Sequence, residues 1–221
     1  MKFIWNVSNT KSVKWVYSCI LSVMSFKRFY PGSEFIVYYD TNETRQLLEE
    51  HLADVEFIET GDWCDEICKK TGLYTKPFGS GCFNLFKAIE DYSDFFFLDC
   101  DCFCTGEIEF SKDRQISAME RLNVPLGYSR CAVYVDGKVD FKVSDIKLRG
   151  LQTAWGDEIL FKTQFREIIS PVKFKNIVHL GTEPWRFKTK TLNLSLFNRI
   201  YRMITDKTDV PRQEYENFIF K

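Results

Sequence analysis

The residues best suited to chemistry lie in one stretch, Phe95-Phe96-Phe97-Leu98-Asp99-Cys100-Asp101-Cys102-Phe103. An apolar run of this kind reads as a strand buried on both faces, and such a strand delivers the residues after it to the sheet edge where ligands bind in open α/β folds. Residues two apart in extended backbone point the same way, so Asp99 and Asp101 are expected to converge on one cation. Carboxylate oxygens select hard divalent ions such as Mg²⁺ or Mn²⁺, which are often shared with the phosphates of a substrate. Asp-x-Asp alone is a common tripeptide, and the plain alternative is a strand that ends in a polar turn. Cys100, Cys102 and Cys104 alternate with the carboxylates and are expected to face the other way. Neither Cys-x-Cys-x-Cys nor Cys64-x-x-x-Cys68 has the spacing with which a loop wraps zinc or an iron–sulfur cluster. The thiols are therefore read as small buried hydrophobes, reduced and metal-free.

Two further segments carry candidate groups. In Ala154-Trp155-Gly156-Asp157-Glu158-Ile159-Leu160-Phe161, a glycine precedes two carboxylates at an expected helix start, where the helix dipole favours the charged form. Either Asp157 or Glu158 suits contact with an acceptor hydroxyl or removal of its proton; the alternative is an ordinary acidic first turn. In Val178-His179-Leu180-Gly181-Thr182-Glu183-Pro184-Trp185, His179 sits at an expected strand end beside a glycine turn. His51 is the only other histidine and lies in a charged segment, so His179 is the candidate metal ligand, against a hydrogen-bonded structural role. The chain contains no Gly-x-Ser-x-Gly elbow, no P-loop and no Gly-x-Gly-x-x-Gly.

The elements that must position these groups are read from hydrophobic spacing. Lys2–Val7 reads as a buried strand opening into Ser8-Asn9-Thr10. Val13, Val16, Tyr17, Ile20, Val23 and Met24 share one helical face, broken at Tyr30-Pro31-Gly32-Ser33. Phe35–Tyr39 is a second strand, Glu43–Leu52 a surface helix and Val55–Glu59 a third strand. This β-α-β-α-β beginning predicts a mostly parallel sheet with helices on its faces. Cys64–Lys76 reads as a helix and loop, and Pro77-Phe78-Gly79-Ser80-Gly81 as a turn leading into a helix over Cys82–Tyr92 with Ser80 as its cap. Strands are expected at Phe95–Leu98, Ile116–Met119, Ala132–Val135 and Asn176–Leu180, with helices at Gly156–Phe165 and Leu194–Ile204.

Composition narrows the classes. The chain has 221 residues, 45% of them hydrophobic, and its 21 Phe, 10 Tyr and 5 Trp supply a core that needs no disulfide staples. No repeat or linker divides it, so a single domain over residues 1–221 is expected. A formal charge of −1 offers no general footprint for nucleic acid. The acid-rich middle suits a cation and the basic end suits phosphates, although solvated helix faces account for much of both. The N-terminus lacks an apolar signal core and no apolar stretch is long enough to span a membrane. With eight cysteines read as reduced, the expected location is cytoplasmic, which makes the sequons at Asn6, Asn42 and Asn193 chance matches.

Taken together and in this order, the three segments resemble a GT-A-fold glycosyltransferase. Phe95–Phe103 resembles the strand plus Asp-x-Asp of family 8, the glycogenin and bacterial galactosyltransferase group. Trp155–Phe161 resembles that family's later Asp-Gln segment, Val178–Trp185 its His-x-x-Gly and Lys-Pro-Trp segment, and Phe3-Ile4-Trp5-Asn6-Val7-Ser8-Asn9-Thr10 the first strand and turn that receive the nucleotide base. The resemblance implies a single α/β domain of GT-A (Rossmann-like) type, with a mostly parallel central sheet flanked by helices. It implies a transferase moving a sugar from a nucleotide-sugar donor, a UDP-sugar, to a hydroxyl of a carbohydrate or glycan acceptor. Carried over by position, Asp101 is a direct ligand of Mn²⁺ or Mg²⁺, Asp99 binds the metal or the donor ribose, and His179 is the third protein ligand. Asn6, Val7 and Ser8 then line the nucleotide, and Asp157 or Glu158 faces the transferred sugar or the acceptor. Glu183 stands where the family has a diphosphate-binding Lys, and Lys188, Lys190 or Arg186 is the expected replacement. Retention or inversion stays open. So do two rival readings: a metal-dependent nucleotidyltransferase, and a non-catalytic domain that binds a nucleotide sugar or serves as a scaffold on this fold. The apolar and basic pattern near Leu192–Ile204 is expected to pack on the core rather than on a membrane.

Overall fold

The computed structural model describes residues 1–7, 13–61, 76–121, 127–146, 156–179 and 202. The expected beginning is present: β1 (Lys2–Asn6), α1 (Lys14–Phe29), β2 (Glu34–Tyr39), α2 (Asn42–His51) and β3 (Glu56–Glu59). After α3 (Lys76–Asp91) come β4 (Phe95–Asp99), β5 (Cys102–Glu109), β6 (Ile116–Glu120) and β7 (Tyr128–Val135), then α4 (Gly156–Gln164), β8 (Ile169–Val172) and β9 (Lys175–His179). Among the described residues, seven strands form one sheet in the order β3-β2-β1-β4-β7-β6-β8, while β5 and β9 make a separate pair. Strands β3, β2, β1 and β4 run parallel, β7 runs antiparallel to β4 and β6, and β8 is parallel to β6.

Alternation along the central strands explains the layers. Phe3, Trp5, Phe35, Val37, Phe96 and Leu98 pack on one face with Val16, Ile20, Val23 and Phe26 of α1 and Leu48 of α2. Ile4, Ile36, Phe95 and Phe97 pack on the other with Phe83 and Phe86 of α3 and Leu160 and Phe161 of α4. A strand covered on both faces reads as a continuous apolar run, which is why Phe95–Leu98 is so legible. The rings of Phe3 and Phe96 stack across β1 and β4 with centroids 5.5 Å apart.

Several boundaries differ from those expected, each for a physical reason. Pro77–Gly81 is not a turn, because α3 starts at Lys76. Pro77 lies in its first turn, where a missing N–H removes no helical bond. Gly81 lets the Arg130 guanidinium come close, since a Cβ there would sit 3.0 Å from Nη1 and the side chain would have to shift. Strand β7 begins at Tyr128 rather than Ala132, which places Ser129, Arg130 and Cys131 on a strand. Hydrophobic spacing does not announce β5 or β8. The Thr-Gly-Glu interior of β5 breaks any simple alternation; a pairing with β9 and two helix serines hold it instead. Ser22 Oγ accepts from Trp5 Nε1 at 2.8 Å and donates to the Cys102 carbonyl, and Ser25 Oγ accepts from Cys104 N at 2.9 Å. Cys64–Cys68 and the Leu194–Ile204 helix lie outside the described residues, apart from Arg202. No helix among the described residues is long and apolar enough to cross a membrane.

Candidate active site

The sheet's order of construction creates the site. From β1 the chain moves outward to β2 and β3 and then returns to add β4 on the other side of β1. The crevice outside the carboxyl ends of β1 and β4 is therefore a topological switch point, the usual ligand position in such sheets. Asn6 and Asp99 are cross-strand partners at that edge. Asp99 closes β4, but the chain turns at Cys100 and Asp101 instead of staying extended. The carboxylates thus meet by a turn rather than by alternation on one strand. The same turn feeds Cys102 into β5, where it pairs with His179 of β9.

That pairing brings the imidazole to the carboxylates. His179 Nε2 lies 3.0 Å from Asp101 Oδ1 and 4.0 Å from Asp99 Oδ2. One ligand atom from each of Asp99, Asp101 and His179 falls within 4.8 Å of the others. Asp101 and His179 are buried, whereas the side chain of Asp99 is about one third exposed. Burial pushes the Asp99 carboxyl above its ordinary value, against the pull of Arg130. Burial also opposes ionisation of Asp101, yet His179 outweighs it and the net shift is downward. For His179, burial alone would lower the value; the neighbouring Asp101 wins and raises it from 6.5 to about 10. Two carboxylates and an imidazole form a donor set that could hold a divalent cation.

The expected nucleotide residues flank this cluster. Asn6 Oδ1 accepts from Nδ2 of Asn84, a fully buried residue of α3 whose Nδ2 also lies 3.0 Å from Thr60 Oγ1. Among the described residues no donor reaches Asn84 Oδ1. Val7 is buried and its N–H donates to the Tyr38 carbonyl at 2.9 Å, continuing the ladder beyond β1. Ser8 and Lys188 lie outside the described residues, as do Arg186, Lys190 and Glu183.

Of the acidic pair, Asp157 belongs to the first turn of α4 and only Glu158 has a described side chain. Glu158 Oε1 accepts from Ser129 Oγ at 2.6 Å, and both of its oxygens face the N–H of Arg130, at 3.1 and 3.3 Å. Lys162, one helical turn on and equally buried, places Nζ 3.9 Å from Glu158 Oε2. Arg130 then reaches across Gly81 to put Nη1 3.1 Å from Asp99 Oδ1. Glu158 is joined in this way to the carboxylate cluster through β7. Sequence reasoning misses Arg130, Asn84 and Cys131. An Arg two residues before an apolar strand is the one available signal for Arg130, while nothing local marks Asn84.

A second cluster shares the imidazole. Cys102, Cys131 and His179 also offer ligand atoms within 4.8 Å of one another. The orientation expected of Cys102 is away from the two carboxylates only, and its nearness to His179 follows from the β5–β9 pairing.

The architecture that carries this turn and this histidine is an open, mostly parallel sheet with helices on both faces. No protein-family model matches the sequence, and no characterised protein matches it as a sequence relative. Solved structures do match. The galactosyltransferase LgtC, crystallised with donor and acceptor sugar analogues, aligns with a TM-score of 0.60 over 96% of this chain and 98% of its own, at 12% identity. An active-site mutant of LgtC gives 0.59 over the same shares at 13% identity. The glycosyltransferase PaToxG gives 0.54 over 99% of this chain and 83% of its own, at 14% identity. The protein has the fold of these glycosyltransferases.

Proposed function

We propose that the protein is a divalent-metal-dependent glycosyltransferase that moves a sugar from a nucleotide-sugar donor, a UDP-sugar, to an acceptor hydroxyl on a carbohydrate or glycan. The observation that carries this reading is the meeting of Asp99, Asp101 and His179 at the switch point of this sheet. Those three residues would hold Mn²⁺ or Mg²⁺. When bound there, such an ion supplies Lewis-acid stabilisation of charge on a departing diphosphate. Two carboxylates and an imidazole would fill only part of such an ion's coordination sphere and leave positions for phosphate oxygens.

The chain's own residues do the rest. Asn6 at the end of β1, oriented by Asn84, lines the nucleotide. Arg130 fixes the rotamer of Asp99 by ion pairing, and Glu158 fixes the backbone that carries Arg130. Since both Glu158 oxygens are engaged with β7, Asp157 is the member of the pair assigned to the transferred sugar or the acceptor. Lys188, Lys190 and Arg186 are assigned to the diphosphate, as cations close in sequence to Trp185. LgtC, whose fold this chain shares, was solved in complex with donor and acceptor sugar analogues, which supports donor and acceptor sugars as the ligands.

The experiment is a screen of UDP-, GDP- and CDP-sugars for transfer and donor hydrolysis with Mn²⁺, comparing wild type with Asp101→Asn. Mn²⁺-dependent turnover lost by at least 100-fold in a folded Asp101→Asn protein is the expected result. Turnover that persists in that variant, or that is equal in a chelator, sinks the assignment.

A further inference from the structure

The geometry points to a second metal site, of opposite chemical preference, that shares His179 with the carboxylate cluster: Cys102, Cys131 and His179 form a binding site for a thiophilic d¹⁰ cation such as Zn²⁺ or Cu⁺. Three observations carry it. The first is position. Cys102 and His179 are register partners of β5 and β9, so their side chains leave the small sheet on the same side, and Cys131 of β7 closes the triangle from the main sheet. The second is fit. Tetrahedral zinc with bonds of about 2.3 Å to sulfur holds two thiolates about 3.8 Å apart. The ligand atoms here already lie within 4.8 Å of one another, so contraction of about 1 Å brings three of the four tetrahedral ligands to bonding distance. The third is the surrounding chemistry. Met119 Sδ lies 3.5 Å from Cys131 Sγ, which places a third sulfur next to the triad. Soft sulfur ligands beside one imidazole reject Mg²⁺ and Mn²⁺ and select Zn²⁺ or Cu⁺.

Cys102, Cys131 and His179 come from three strands that are separate in sequence, which is why no Cys-x-x-Cys spacing announces the site. All three are buried, and Cys102 and Cys131 are fully so. On binding, two metal–sulfur bonds and one metal–nitrogen bond form as two S–H protons and one imidazolium N–H proton leave to solvent, and the oxidation state of sulfur does not change. The imidazole belongs to both triads, so an ion on the sulfur side changes the charge and the geometry that His179 presents to Asp99 and Asp101. The site stands on its own ligands whether or not the chain transfers sugar.

The test uses the reduced, intact chain titrated with Cd²⁺ and followed by thiolate-to-metal charge-transfer absorption, with a Cys64→Ser/Cys68→Ser protein as the reference for the other thiols. The first equivalent should produce the absorption in wild type and in the reference protein, and Cys131→Ser should abolish it. X-ray absorption on the zinc-loaded reference protein decides the matter even where Cys131→Ser does not fold: two sulfur scatterers near about 2.3 Å are expected. Only oxygen and nitrogen scatterers, no absorption at one equivalent, or absorption that requires Cys64 and Cys68 overturns the site.

Discussion

Replacing Glu158 by Gln separates a residue that acts by anchoring from one that acts on substrate. The carboxylate is 7% exposed, and it accepts from Ser129 Oγ and from the N–H of Arg130, one on each side. An amide of the same shape has one accepting oxygen; with that oxygen kept on Ser129 at Oε1, the 3.1 Å contact from the Arg130 N–H to Oε2 is lost and only the longer 3.3 Å contact to Oε1 remains. Losing a hydrogen bond to a charged acceptor costs about 1.5–3 kcal/mol. The substitution also removes the negative charge near Lys162, whose Nζ is 3.9 Å away on a side chain with no exposure. Stripping one member from a buried pair costs about 3–5 kcal/mol in the extreme, but Lys162 Nζ also lies 4.8 Å from the centre of the Tyr128 ring and keeps that partner. The sum expected for Glu158→Gln is about 3 kcal/mol, which lowers the melting temperature of a chain this size by roughly 6–12 °C. Adding Lys162→Met should recover part of that loss, because the ammonium then no longer needs an anion, and the double-mutant cycle should show coupling of at least about 1 kcal/mol. Urea unfolding of the four proteins measures it. A Glu158→Gln protein as stable as wild type but devoid of transfer would refute the anchoring role and make Glu158 a group that touches substrate.

Two further outcomes rest on the same geometry. Ser22→Ala leaves the Trp5 indole N–H and the Cys102 carbonyl without their shared hydroxyl, at about 1–3 kcal/mol for each buried group; urea unfolding should show a loss of about 2–4 kcal/mol, and a loss below about 0.5 kcal/mol would mean that α1 does not hold β5. In chelator, the His179–Asp101 pair makes stability depend on pH with a definite sign. The folded value of His179 is raised from 6.5 to about 10, so its contribution is fully present below pH 6.5 and lost as pH climbs towards 10. The carboxyl of Asp101 is lowered, so its contribution is present above the ordinary carboxylate value of 3.8 and lost as pH falls through the folded one. Thermal unfolding of wild type and His179→Ala between about pH 6 and 10 should show the alkaline decline in wild type only; parallel curves would count against the pairing.

How much of this is legible in the sequence depends on whether a signal is local. Strands β1, β2 and β4 carry apolar residues on both faces, so their reading needs no knowledge of neighbours, and the two faces they bury are those the alternation specifies. Asp99, Asp101 and His179 are visible as types at strand ends, and the structure brings these three together. They meet by a different route from the one expected. Extended alternation would put Asp99 and Asp101 on one strand, whereas the chain turns at Cys100 and Asp101 and pairs Cys102 with His179. Lys76–Gly81 is helical although its two glycines and its proline look like a turn. The later residues Cys82, Phe83, Leu85 and Phe86 bury a face strong enough to extend that helix, and Arg130 occupies the space that the absent Cβ of Gly81 leaves.

The residues that are not legible share one property: each acts across the sheet rather than along it. Asn84 meets Asn6 over a sequence separation of 78, Arg130 meets Asp99 over 31, and Ser22 meets Cys102 over 80. None of these separations leaves a periodic trace, since hydrophobic spacing reports which face a residue occupies and not who stands opposite. The consequence for the site is a division of labour. Groups suited to touch a metal or a substrate lie at the ends of strands, where type and position are readable. The side chains that hold them (Arg130 on Asp99, Glu158 on Arg130, Asn84 on Asn6) sit on neighbouring elements and emerge only once β4 is placed between β1 and β7. A chain that keeps the Asp-x-Asp turn but exchanges Arg130 or Asn84 would therefore show the same pattern of strands along its sequence and lose the contact that holds Asp99 or Asn6.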